Sequence, residues 1–504
     1  MNTYKRSNAI GKLQVRYVDI VAAGGRLGAL VFASQLKKTT FENSDLGVIL
    51  PRVGFACNPT PHIVFRSGFG LNTQAPVYSA EPFFGTTLPP TTGYSASIAV
   101  NSTTNPQTYS GMSEGLISSP YPAPKTSLPN YDPTQANLQS VTVNNLRGSR
   151  PVTYANYTAG IQVDAGRGVI AQINYVGNTA RRIRQSALTQ LNQLPISDLV
   201  TYGDSLLDSI SLHPEIPKPY AGFSGTVQQA LAPIPQYKGG GVSLFDSGSG
   251  WSRYDALQAT LNKQMTKNLS FFINYTWSKT LTNTNGSIQD IANLKAEKAV
   301  ASFIHVPQMF KVTAIYVLPF GKGQLVSLHG PLDWVFGGWK LAGNGIYQSG
   351  DTLAITDSFV SNGIFATTRP NYTGLPVKLN QKGFIDTVNN TGPQYLNPAA
   401  FTHVPYTANH KVALTTGTVP SILPGIQGPG YAYENLGLQK GFGLGEGRKL
   451  AFRADAFNVL NRAGRGDPVT NLDNANFGRI LTTQSATRQN FTPRTLQVQA
   501  TITF

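Results

Sequence analysis

Two-residue alternation of apolar and polar side chains, in paired segments separated by short turns, restricts this chain more than any other feature. Over residues 268–278, Leu269, Phe271, Ile273, Tyr275 and Trp277 fall on one side, and Asn268, Ser270, Asn274, Thr276 and Ser278 on the other, with Phe272 the exception. Just upstream, Leu257, Ala259 and Leu261 alternate with Gln258, Thr260 and Asn262, and residues 264–267 supply a turn. Tyr157, Ala159, Ile161 and Val163 repeat the pattern, and after a turn at 165–168 so do Ala171, Ile173 and Tyr175. A period of two belongs to strands, whose successive side chains point to opposite faces. The same reading predicts hairpins over 48–71 (turn at 58–61), 310–348 (turn near 319–323) and 433–458 (turn near 445–448).

The connections between these pairs are long and polar: roughly 72–152, 178–252, 281–307, 350–430 and 461–493. Structureless loops of that length are foreign to a compact soluble domain. They suit an outer-membrane barrel, in which short turns alternate with long loops and each strand sets apolar residues outward and polar ones inward. About ten residues at ~3.3 Å each, tilted ~45°, cover about 23 Å, close to the ~25 Å apolar band. Lipid tolerates such a sheet when every backbone group pairs across strands in a closed barrel. Tyr275 with Trp277, and Trp339 with Tyr347 nearly a strand apart, fit the aromatic girdles at the two membrane interfaces. The expectation is therefore an all-β, antiparallel transmembrane barrel of outer-membrane type. It would have about 11–13 strands, about eleven of them after residue 47; 47–504 form the barrel portion and 1–46 are otherwise unassigned. The soluble alternative is a secreted β-rich protein that binds glycans, built as a sandwich or propeller.

Composition narrows the field further. Charged residues are 13% of the 504, about half the ~25% of an ordinary soluble domain, while Gly (50), Pro (33), Tyr (22) and Phe (25) are abundant. No apolar run approaches the ~18 residues of a transmembrane helix. The net charge of +16 reflects 24 acids against 40 scattered bases, and Arg181, Arg182 and Arg184, the densest group, read as a strand end or solvated loop. A nucleic-acid footprint would cluster such charge on one face, so no nucleic-acid partner is expected. Cys57 is the sole cysteine. The apolar stretch 27–33 is short and follows Arg26, which does not read as a signal peptide.

At the C-terminus, Leu496, Val498, Ala500, Ile502 and Phe504 alternate with Gln497, Gln499, Thr501 and Thr503, a strand that ends on an aromatic. This resembles the terminal signal that barrel-assembly machinery reads in bacterial outer-membrane proteins. Residues 450–461 (Leu-Ala-Phe-Arg-Ala-Asp-Ala-Phe-Asn-Val-Leu-Asn) and 476–480 (Asn-Phe-Gly-Arg-Ile) are similar to the final strands of Oar-like TonB-dependent receptors. Residues 254–258 with 275–279, 318–322 with 337–339, 173–177 and 51–55 resemble further blocks of that family, in its order. The resemblance implies an outer-membrane receptor or transporter for large substrates, energised by TonB in a full-length form. It also implies a 22-stranded barrel with a plug and an N-terminal β-sandwich. Those parts, and the front half of the barrel, have no counterpart here, so a truncated receptor is expected. Its partners would be outer-membrane lipid, the assembly machinery and an unidentified substrate.

No enzyme is expected. Residues 21–28 lack the G-x-G-x-x-G spacing of a dinucleotide loop, and the glycines of 441–447 precede no phosphate-loop lysine and read as a hairpin turn. His62, His213, His305, His329, His403 and His410 are dispersed, and only the last two are near each other, without Cys or carboxylate company. No catalytic, cofactor or metal set is expected. Recognition would fall to the long loops, where Tyr94, Tyr109 and Tyr121 offer stacking surfaces to sugars or peptides.

Overall fold

In chain order the strands are β1 (Arg52–Thr60), β2 (Ile63–Gln74), β3 (Gln139–Asn144), β4 (Val152–Gly166), β5 (Val169–Ile183), β6 (Tyr237–Phe245), β7 (Gly250–Thr266) and β8 (Leu269–Thr282). They continue as β9 (Ala299–Val300), β10 (Gln308–Val317), β11 (Trp339–Gln348), β12 (Asn371–Tyr372), β13 (Phe401–Thr402), β14 (Tyr431–Gly445), β15 (Arg448–Phe457) and β16 (Thr495–Thr503). Among the described residues, three short helices are α1 (Ile196–Tyr202), α2 (Val227–Leu231) and α3 (Pro331–Phe336). The computed structural model describes residues 48–74, 139–144, 151–183, 191–245 and 248–504, except 267, 287, 303, 358–367, 380, 382, 387, 410–411, 446–447 and 484–492. For 139–144 and 238–245 it describes the backbone alone. The dinucleotide-like stretch 21–28, the tyrosine-rich stretch around Tyr94, Tyr109 and Tyr121, and His410 lie outside the described residues.

Among the described residues the main sheet has 12 strands, in the order β1-β2-β4-β5-β7-β8-β10-β11-β14-β15-β16, with β9 paired to β8 off this path. Every pairing along the path is antiparallel, and the period of two carries straight through it. Cys57, Phe65, Ile161, Ile173, Ala259, Tyr275, Phe310, Tyr347 and Ala432 form one cross-strand row on the apolar face. The neighbouring row on the other face runs Gln162, Gln172, Thr260, Asn274 and Lys311. There the polar side chains satisfy one another: Asn274 Nδ2 donates to Thr260 Oγ1 at 3.1 Å, and Gln172 Nε2 to Asn174 Oδ1 at 3.1 Å. One sheet with an apolar face and a hydrogen-bonded polar face replaces the two-layer sandwich of the soluble alternative.

Two-residue gaps separate β1 from β2, β4 from β5, β7 from β8 and β14 from β15, so these turns share one rim. The connections after β2, β5, β8, β11 and β15 reach the other rim. The first turn sits at Pro61–His62, at the far end of its expected place, and the last falls between Gly445 and Arg448 as expected, although Gly441, Gly443 and Gly445 are themselves paired strand in β14. The expected tight turn near 319–323 is instead a connection through 318–338 that carries α3. Gly330 in the left-handed region (φ 62°) starts α3, and Pro331 stands at its first position, where a missing N–H costs nothing.

The path ends at β1 and β16, each paired on one side only, so the described sheet is open. The chain divides into two compact units: Met1–Asp45, Ala75–Arg150 and Leu188–Ser247, and the remainder, which holds the main sheet. Within the first, Leu199, Leu206, Ile210, Phe223 and Val227 form a buried core, beside a parallel β3–β6 pair. A capping box between Thr226 and Gln229 starts α2, and the Asn192 amide clamps the Ile234 backbone N–H and carbonyl at 2.8 Å each.

Candidate functional site at the long-connection rim

The apolar face is uncovered across the sheet: Ile173 is 51% exposed, Leu257 40%, Trp277 57% and Phe452 44%. Leu269, Phe271, Ile273, Tyr275 and Trp277 all lie on it. Tyr347 shares the Tyr275 row, whereas Trp339 lies at the short-turn end opposite Lys440. In β16, Leu496, Val498, Ala500 and Ile502 pair with Ala456, Ala454, Phe452 and Leu450 on this same face, and Phe504 follows, 93% exposed.

Charge enters the apolar face only near its ends. Opposite Lys279, one row beyond Trp277, Asp255 accepts from Arg253 Nε at 2.7 Å and from the Tyr175 and Tyr157 hydroxyls at 2.6 and 3.1 Å. On β14, Glu434 receives the Arg462 guanidinium at 2.9 Å. At the short-turn end the Lys440 ammonium is capped by the Val335 carbonyl of α3 (2.7 Å) and lies over the Trp339 and Phe442 rings.

The long connections after β8, β11 and β15 are not structureless. Leu353, Ile355, Leu396, Ala400, Phe401, Val419, Leu423 and Phe477 form a buried core drawn from the last two, with Tyr372, Tyr395 and Leu472 packed against it. Ala299 and Val300, from the first, bury against Ile422. A second tie is ionic: Arg369 donates two bonds of 2.9 Å to Glu297, with both side chains almost fully buried. The Gln289 amide bridges the Arg369 and Gly417 backbones, and Gly417 lies so close to the Arg369 carbonyl that a Cβ would collide with it. The three connections are thus folded onto one another through a buried core, a buried ion pair and a buried amide bridge.

Histidines and carboxylates meet in ways that spacing conceals. His403 Nδ1 lies 3.1 Å from Asp357 Oδ2, and Nε2 lies 3.9 Å from Asp473 Oδ1. This is the one group of three with metal-ligand geometry among the described residues, and it brings His403 the carboxylate company absent from its sequence neighbourhood. His213, in the other unit, bridges Asp208 and Glu215 at 3.0 Å each, and Asp208 foremost, then Glu215, hold its pKa above the ordinary histidine range. Burial pushes the His305 imidazole down, with Lys279 adding to it, consistent with Nδ1 accepting from the Thr280 N–H. No periodic signal marks any of these sets; only the folded loops assemble them.

The sequence profile of a family described as an outer membrane beta barrel domain matches residues 2–497. No curated protein matches the chain. Among solved structures, the chain is similar to the ferripyoverdine receptor of the Pseudomonas aeruginosa outer membrane (8% identity, TM-score 0.36, 90% of this chain and 32% of that one). It is also similar to the ferric citrate transporter FecA (11%, 0.32, 90% and 38%) and to BauA, the ferric preacinetobactin receptor of Acinetobacter baumannii (10%, 0.34, 90% and 36%). The chain spans about a third of the length of these proteins.

Proposed function

Because the chain belongs to the outer membrane beta barrel domain family, we propose that it supplies part of the wall and the rim of a receptor barrel that takes up large substrates. The membership places it in the bacterial outer membrane and sets aside the soluble, secreted glycan-binding alternative. The observation that carries the receptor reading is the cored cap: long connections folded onto one another at the rim opposite the two-residue turns. A bare pore wall has no use for such a scaffold, whereas recognition does.

The topology adds a constraint on closure. Ten successive antiparallel pairings leave β1 and β16 running in the same direction. Bacterial single-chain barrels are antiparallel with an even strand number. An odd number of further strands therefore completes this wall, and the 22-strand architecture of the Oar-like receptors it resembles would supply them. Energising by TonB and insertion through the assembly machinery at 496–504 rest on that same resemblance.

Tag accessibility tests the orientation that uptake needs. A short epitope inserted between the exposed Asn389 and Asn390 should bind antibody on intact cells. The same epitope at the Arg167–Gly168 turn should bind only after the outer membrane is permeabilised. Equal labelling of both sites on intact cells, or the reverse order, would sink the reading.

A further inference from the structure

We propose that Asp357, His403 and Asp473 form a site for a divalent metal ion of the zinc class that ties the β11–β14 connection to the β15–β16 connection. One ligand atom from each lies within 4.8 Å of the others. Around a tetrahedral ion with bonds of ~2.1 Å, two ligand atoms sit roughly 3.4 Å apart. His403 Nδ1 and Asp357 Oδ2, 3.1 Å apart, already have that spacing; Asp473 Oδ1 stands 3.9 Å from the other ring nitrogen, Nε2, and its partly exposed carboxylate would turn to the Nδ1 side to complete the set.

The three residues are held independently of any ion. Thr356 N–H donates to the Thr470 carbonyl at 3.1 Å, and Leu472 N–H to the Thr356 carbonyl at 2.9 Å, which fixes Asp357 and Asp473 side by side. His403 follows β13, whose Phe401 stacks edge-on against Phe477 in the cap core. Ligands preset by packing are what a metal site requires.

Charge favours the same conclusion. The Asp357 side chain is only 2% exposed, and a buried carboxylate needs its charge met. Nitrogen in the donor set selects zinc-class ions over calcium, which takes six to eight oxygens. His213, with Asp208 and Glu215 each 3.0 Å from one of its nitrogens, does not bring its three groups within the mutual distances that Asp357, His403 and Asp473 meet.

The test uses the untagged full chain, extracted from outer membranes in detergent, stripped with chelator and titrated with zinc chloride against a chromophoric competitor. One equivalent should bind, at least about tenfold more weakly in His403→Ala and Asp357→Asn. His213→Ala should bind as the parent chain does. Asp473→Asn, isosteric and at a partly exposed position, should weaken binding as well and keeps the test decisive if the buried variant misfolds. Absence of a stoichiometric site, or binding that survives both His403→Ala and Asp473→Asn, overturns the proposal.

Discussion

Tyr157 lies across Gly177 and donates its hydroxyl to Asp255, 3.1 Å away and two strands over. The three residues share one cross-strand row, and Gly177 leaves the space that the tyrosine ring fills. A Cβ at Gly177 would collide with that ring. Gly177→Val should therefore displace Tyr157 and cost ~1–3 kcal/mol through overpacking. The temperature at which the protein loses its folded band on a detergent gel should fall, and Tyr157→Ala in the same chain should absorb most of the loss. An unchanged temperature in Gly177→Val would contradict the contact.

Adjacent residues on β8 should respond in opposite ways to the same charge. Ile273 lies on the apolar face between Leu261 and Val312, and Asn274 lies on the polar face between Thr260 and Lys311. If the apolar face meets lipid, Ile273→Arg costs ~2–4 kcal/mol near the middle of the band. Asn274→Arg should be tolerated better, although Lys311 opposite it is a like charge. Urea midpoints in lipid vesicles measure both, and equal losses would count against lipid contact.

The His213 bridge predicts a pH dependence within the unit that holds α1 and α2. Its pKa is raised in the folded state, so the stabilisation is fully present below the unfolded value of ~6.5. It is lost as pH rises through the folded value. Proteolysis within 191–237 should thus be slower at pH 6 than at pH 8.5, and His213→Gln should flatten the difference. A parent chain cut faster at pH 6 would reverse the sign and defeat the assignment.

Much of the sheet was legible in the sequence, because a strand between lipid and a polar interior must alternate, and alternation survives without knowledge of any partner. The face of Leu269 to Trp277 and the pairings of β4–β5, β7–β8 and β14–β15 follow from that alone. The cap was illegible for the converse reason. Glu297 and Arg369 stand 72 residues apart, and His403 and Asp357 46 apart, in connections without periodicity. Tertiary burial brings them together. The helix α3 is within reach, since Gly330–Pro331 marks a helix start, but the glycines at 321 and 323 give the louder turn signal.

Breaking the ion pair should open the cap while leaving the sheet intact. Both partners are nearly buried, so Glu297→Ala strands a guanidinium and costs ~3–5 kcal/mol. The expected result is new protease cleavage within 369–423 on intact cells, with the folded band of the barrel unchanged on detergent gels. Simultaneous loss of both would show that the cap and the wall are one cooperative unit.

Closure yields the last prediction. A direct β1–β16 seam would be parallel, because the ten pairings between them return the chain to its starting direction. An open edge in hydrocarbon leaves unpaired backbone groups that cost several kcal/mol each, so some other strands must cover both edges. Cys57 is the chain's single cysteine and lies on the edge strand β1, on the apolar face. Disulfides form only where Cα atoms approach ~4.4–6.8 Å. Cysteines placed singly at Leu496, Val498, Ala500 and Ile502 on β16 scan the register of any direct seam. If further strands intervene, none of the four should form an intramolecular disulfide with Cys57 under mild oxidation in membranes. A cysteine substituted for Ala454, the β15 partner of Val498, should bond readily with one at Val498 in a Cys57→Ser background. A Cys57 disulfide to any of the four β16 positions would establish an odd-stranded barrel with a parallel seam, and the need for additional strands would fall away.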